Sequence, residues 1–113
     1  MEVTKRYDLE IRRCLETENL EIDVNYEHCT LEDRVDLLWL HIIEKKDKKR
    51  RFCDRSIPNN CHDDKMYGFI EPTYDDEWVA AAVTPELRAL IFKLIDEVEE
   101  EAKRLIPAFK GLL

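Results

Sequence analysis

Residues 84–109, TPELRALIFKLIDEVEEEAKRLIPAF, predict one long amphipathic helix with a chemically marked start. Thr84 can accept a hydrogen bond from a free amide of the first turn. Pro85 takes the first helical position, where its missing N–H costs nothing. Leu87, Leu90, Ile91, Leu94, Ile95, Val98, Ala102, Leu105 and Ile106 then recur at helical spacing. From Pro85 to Ile106 such a helix is about 33 Å long, as long as a small domain is wide, so it is expected to organise the fold. Its apolar stripe does most of the stabilising. Each buried aliphatic position contributes about 1–3 kcal/mol, against about 0.2–0.5 kcal/mol for a surface pair such as Glu99–Lys103 or Glu100–Arg104.

Upstream, Leu20, Ile22, Val24 and Tyr26 alternate with Glu21, Asp23, Asn25 and Glu27. That period of two predicts a half-buried strand. Before it, Val3, Tyr7, Ile11, Cys14 and Leu15 fall on one helical face, predicting a helix over residues 4–17. After it, Thr30 and Asp33 resemble a capping box that opens a second helix over residues 31–46. Leu31, Val35, Leu38 and Ile42 form one stripe of that helix, while Leu37, Leu40 and Ile43 point elsewhere, with Trp39 between. A helix apolar on two sides is central in its domain or lies at an interface. Ser56-Ile57-Pro58-Asn59-Asn60 predicts a turn, and Met66–Ile70 a strand pairing with residues 20–26. Residues 75–83 favour a short helix. The expected fold is therefore mainly α, of an α+β kind: three to four helices with a small two- or three-stranded sheet or hairpin, in one domain over residues 1–113.

The 113 residues carry a net charge of −8, unevenly spread. Residues 45–55, KKDKKRRFCDR, hold seven bases and two acids, and the remaining 102 residues hold eleven bases and 24 acids, a net of −13. So acidic a body is a poor general nucleic-acid binder and suits a basic protein partner. Lys45, Lys46, Lys48, Lys49, Arg50 and Arg51 are the candidate phosphate contacts, with Phe52 as a stacking ring; the simpler reading is a cationic helix end. The acidic runs at 75–77 and 96–101 could imitate a phosphate backbone, which makes an acidic regulator of nucleic-acid machinery the second functional expectation. The chain has no Gln, one Ser and two Gly, and 39% of it is charged. That balance suits a thermophilic source, archaeal or archaeal-viral. With no long apolar run and no secretory pattern at its N-terminus, a cytoplasmic protein is expected, in the host cytoplasm if viral, without membrane partners.

The thiols and imidazoles give the third expectation. Cys29, Cys53, Cys61 and His62 are a candidate zinc set, although the Cys53–Cys61 separation is wider than the usual knuckle. A Cys53–Cys61 disulfide is the alternative pairing, and zinc is the one cofactor the sequence suggests. Cys14 and His41 are expected in the core. No phosphate-cradling Gly-rich loop, HExxH or GxSxG is present, and Ser56 is the sole serine. The chain is thus expected to be a non-enzymatic interaction or regulatory module. It would self-associate as a homodimer or bind a protein partner through the helices at 31–46 and 85–106, with Leu37, Leu40, Ile43, Phe109, Leu112 and Leu113 as candidate contacts.

Overall fold

The computed structural model describes residues 8–29, 35–58 and 77–112. Four strands come first: β1 (Asp8–Glu16), β2 (Leu20–Cys29), β3 (Leu37–Glu44) and β4 (Arg51–Ser56). Two helices follow, α1 (Glu77–Ala82) and α2 (Pro85–Leu112). Each strand pairs antiparallel with the next, in the spatial order β1-β2-β3-β4. The fold is a sheet-rich α+β arrangement, which corrects the mainly α expectation.

The correction falls on two segments. The segment expected as a helix over residues 4–17 is β1 across its described part, and the segment expected as a helix over 31–46 is β3. β3 has the sequence LLWLHIIE, apolar at nearly every position. Periodicity cannot separate helix from strand in such a run; short length and β-branched and aromatic content favour strand. The two apolar sides read as two faces of a helix are the two faces of a strand. Leu38, Leu40 and Ile42 point into the core and are fully buried, while Leu37, Trp39, His41 and Ile43 point to the other side and are half-buried.

β2 matches its alternation, with Leu20, Ile22, Val24 and Tyr26 buried. The β1–β2 turn is held by Thr17, whose amide donates to the Leu20 carbonyl at 2.9 Å and whose hydroxyl accepts from the Leu20 amide at 3.0 Å. The basic run, expected to follow a helix end, instead makes the β3–β4 hairpin connection. Asp47 closes that connection: its carbonyl accepts from the Arg50 amide at 2.9 Å and its carboxylate from the Lys49 amide at 3.1 Å.

The start of α2 is built as its sequence predicts. The Leu87 amide donates to Thr84 Oγ1 at 3.2 Å, and the Arg88 amide to the Thr84 carbonyl at 2.9 Å. Leu87, Ile91, Ile95, Val98 and Ala102 are buried. Leu90, counted in the apolar stripe, is 48% exposed. The helix continues through Pro107 to Leu112, with Pro107 leaving one carbonyl a turn earlier without an amide donor. α2 packs on β1 and β2. The short helix expected near residues 75–83 is α1, whose Val79 enters the same core. Arg13 of β1 also points to the helix side, where its guanidinium pairs with Glu101 of α2.

Strand alternation in β3 sets a stability test. Leu40→Ala should lower the unfolding free energy by about 2–5 kcal/mol, because it opens a cavity in a packed core. Leu37→Ala, three residues away on the other face, should cost under about 1 kcal/mol. Urea denaturation followed by circular dichroism measures both, and equal losses would reject this facing of β3.

Candidate binding face of the sheet

The side chains that point away from α2 form ladders across the strands. One row runs Arg12, Asn25, Trp39, Arg55; the next runs Cys14, Asp23, His41, Cys53; a third runs Glu16, Glu21, Ile43, Arg51. Read along the strands instead, the face is polarised. β2 presents Glu21, Asp23, Asn25 and Glu27, β3 presents Leu37, Trp39, His41 and Ile43, and β4 presents Arg51, Cys53 and Arg55. An apolar, aromatic stripe thus separates an acidic strand from a basic one. Among the described residues, no helix packs against this face.

The stripe is ordered by its own contacts. The Trp39 and His41 rings stack with centroids 5.9 Å apart, and the Arg55 guanidinium lies 5.8 Å from the Trp39 centroid. Cys53 Sγ is 3.8 Å from His41 Nε2. His41 therefore lies on this face and not in the core. Two buried polar atoms here have no hydrogen-bond partner, Asn25 Oδ1 and Trp39 Nε1.

Neither thiol on the face is activated. Cys14 donates to Asp23 Oδ1 at 2.7 Å, and that hydrogen bond, followed by burial and the Asp23 charge, pushes its pKa above the ordinary thiol value. Burial and the Asp54 carboxylate push Cys53 up as well, against Arg55. Thiols held protonated are poor nucleophiles and poor metal ligands. Cys14 is exposed on this face, not core as expected.

The proposed zinc residues are not drawn together where they are described. Cys29 is buried near the end of β2, and Cys53 is exposed in the Asp23 row. The six residue steps along β2 from Asp23 to Cys29 span about 20 Å. Cys53 is a free thiol. Cys61 and His62 lie outside the described residues, as does Leu113. Among the described residues, no three His, Cys, Asp or Glu side chains are arranged to hold a metal ion.

The cationic set divides. Lys46, Lys48, Lys49, Arg50 and Arg51 are exposed in and beside the hairpin connection. Arg50 lies 3.4 Å from Glu44, Lys45 3.6 Å from Glu16, and Arg51 Nε donates to the Lys48 carbonyl at 2.7 Å. Phe52, expected as a stacking ring, is buried in the core. In the acidic run of α2, Glu99 is buried, Glu100 pairs with Lys103 at 3.0 Å, and Glu101 pairs with Arg13 and Arg104. Of the candidate contacts, Leu37 and Ile43 lie on the uncovered face, Leu40 is in the core, Phe109 is half-buried and Leu112 is 84% exposed.

A second constellation sits on the helix side. Asp36 accepts from the Tyr26 hydroxyl at 2.6 Å on one oxygen and meets His28 Nδ1 at 2.7 Å on the other. The His28 ring is buried against the edge of Phe109, 6.4 Å between centroids. Burial, then the bond to Asp36, pushes the Tyr26 phenol far above its ordinary value. His28 Nε2 is buried without a partner. An Asp-oriented imidazole resembles a catalytic dyad, but its free nitrogen meets neither a nucleophile nor solvent. Its evident role is to clamp the start of β3 to β2 and to the end of α2. Sequence reasoning missed this trio. Its available signal was the spacing of Tyr26 and His28, two apart on one face of a strand.

No protein-family model, curated protein or solved structure matches the chain. No helix among the described residues is long and apolar enough to cross a membrane.

The Cys14–Asp23 contact predicts a labelling rate. The Asp23 bond raises the Cys14 pKa above its ordinary value, so iodoacetamide should alkylate the folded thiol more slowly than that of the urea-unfolded chain at pH 9.0. Asp23→Asn removes the carboxylate that holds the proton, so it should speed Cys14 labelling in the folded protein. Mass spectrometry of the Cys14 peptide reads both. A rate unchanged by Asp23→Asn would show that the bond does not govern the thiol.

Proposed function

We propose that this protein is a non-enzymatic interaction module that docks protein surface on the face of its sheet that no described helix covers. The row Leu37, Trp39, His41 and Ile43 carries that reading. It is a line of apolar and aromatic side chains at the middle of a sheet, on the side away from the helices, bordered by charge of one sign on each flank. Aromatic anchors ringed by polar and charged groups are the usual composition of a protein-binding surface. The composition supports the further reading of a cytoplasmic protein of a thermophilic archaeon or archaeal virus.

Stacking of nucleic-acid bases is less well supported. Trp39 already carries His41 and Arg55 against its ring, Phe52 is in the core, and the neighbouring strand is acidic. Catalysis is poorly supported for a different reason: the thiols on the face have raised pKa values, and the free nitrogen of the His28 imidazole is buried away from solvent.

The test is site-specific photocrosslinking in extract of the native host. Benzoylphenylalanine at position 37 or 43 should yield covalent adducts with protein, of this chain or another. The same group at position 103, exposed on α2, should yield few. Equal yields from all three positions would overturn the proposal.

A further inference from the structure

Accepting the face away from the described helices as a docking surface, we infer that its occupant is a second copy of this chain, related by a two-fold axis that runs along β3. Two constraints select that arrangement. The first is apolar burial. Only an axis parallel to the strands and over β3 lays the stripe on itself row by row, Leu37 on Leu37, Trp39 on Trp39 and Ile43 on Ile43. The second is charge. The same rotation exchanges the flanks, so β2 of one copy covers β4 of the other.

Glu21 and Arg51 occupy one row, with Ile43 between them. After the rotation Glu21 lies over Arg51 of the second copy, twice by symmetry. Asn25 and Arg55 share the Trp39 row, so the Asn25 side chain comes opposite a guanidinium of the second copy. Asp23 comes opposite Cys53. An axis across the strands would place β2 on β2 and β4 on β4, acid on acid and arginine on arginine. Like charges in a desolvated contact cost several kcal/mol. The polarity of the face therefore excludes the alternative two-fold, and a self-complementary patch is what a two-fold interface requires.

The overlap is modest. Three strands at about 4.8 Å spacing and about seven residues each cover only about 14 by 23 Å per copy, a contact in the range of weak, transient interfaces. The dimer should dissociate in the micromolar range.

Sedimentation equilibrium over protein concentrations on the order of 1–500 µM tests it. The full chain should pass from monomer to dimer. Arg51→Glu with Arg55→Glu should raise the dissociation constant at least about tenfold, and so should Glu21→Lys with Asp23→Lys. The chain carrying all four reversals should dimerise again near the native affinity, because lysine then covers glutamate. It should not form mixed dimers with the native chain. Circular dichroism confirms that each variant is folded, and the four-fold variant guards against a loss caused by misfolding alone. A monomer throughout the range overturns the inference, and so does a dimer indifferent to all four reversals. Mixed dimers between the native and four-fold chains would place the axis across the strands and overturn it too. Crosslinks from positions 37 and 43 to another protein, with no self-association, would sink the dimer and leave the interaction module standing.

Discussion

A strand must send alternate side chains to opposite faces, and in β3 both sets are apolar. Leu38, Leu40 and Ile42 are fully buried in a core to which both helices contribute. Leu37, Trp39, His41 and Ile43 are then forced to the far side, where no described element packs. A two-layer fold can hide only one face of its sheet. An antiparallel sheet normally resolves this by making the second face polar, and β2 does so with Glu21, Asp23, Asn25 and Glu27. β3 does not. The register that locks β3 between β2 and β4 fixes the aromatic stripe between an acidic and a basic strand, and the functional reading rests on that placement.

The parts of this fold that were legible in the sequence are those set by neighbours in the chain. The cap at Thr84 needs only residues 84 to 88. The alternation of β2 needs only its own interleaved acids. β1 was not legible, because Arg13 breaks the alternation between Ile11 and Leu15. An arginine at a core-facing position makes sense only once Glu101 is known to lie above it, 88 residues on. β3 was not legible because a run of apolar residues has no period to read, and Thr30 with Asp33 offered an attractive helix start just before it. Once β3 is a strand, its spacing alone divides it into a buried set and an outward set. The partners of the outward set, Arg55 over Trp39 and Cys53 beside His41, come from the β3–β4 register and could not be read from either strand alone.

The trio Tyr26, His28 and Asp36 was hidden for a related reason. It joins two strand-borne side chains to a carboxylate from the connection that leads into β3, and it is covered by Phe109 from the far end of α2. Its effect is mechanical. Two hydrogen bonds to one carboxylate fix the approach to β3, and the aromatic contact ties that point to the last turns of the helix. A largely buried polar cluster of this kind favours one arrangement over its neighbours, because a slipped register would leave the Tyr26 hydroxyl and the His28 ring buried without Asp36. It thereby secures the register that orders the face.

An exposed sheet can also associate through its edges, so the edges bear on how the face is used. Among the described residues, the outer strands are β1 and β4. β1 carries Asp8, Glu10, Arg12, Arg13 and Glu16, and β4 carries Arg51, Asp54 and Arg55 within six residues. Dense charge and short length are the devices that discourage a foreign strand from adding to an edge. The chain therefore blunts the non-specific route to association and leaves open the one whose geometry is set by complementary flanks. Charge placed beside an apolar contact adds less to its strength than to the choice of partner and orientation. In the proposed docking, the flanks favour a surface that is apolar at its centre, basic over β2 and acidic over β4.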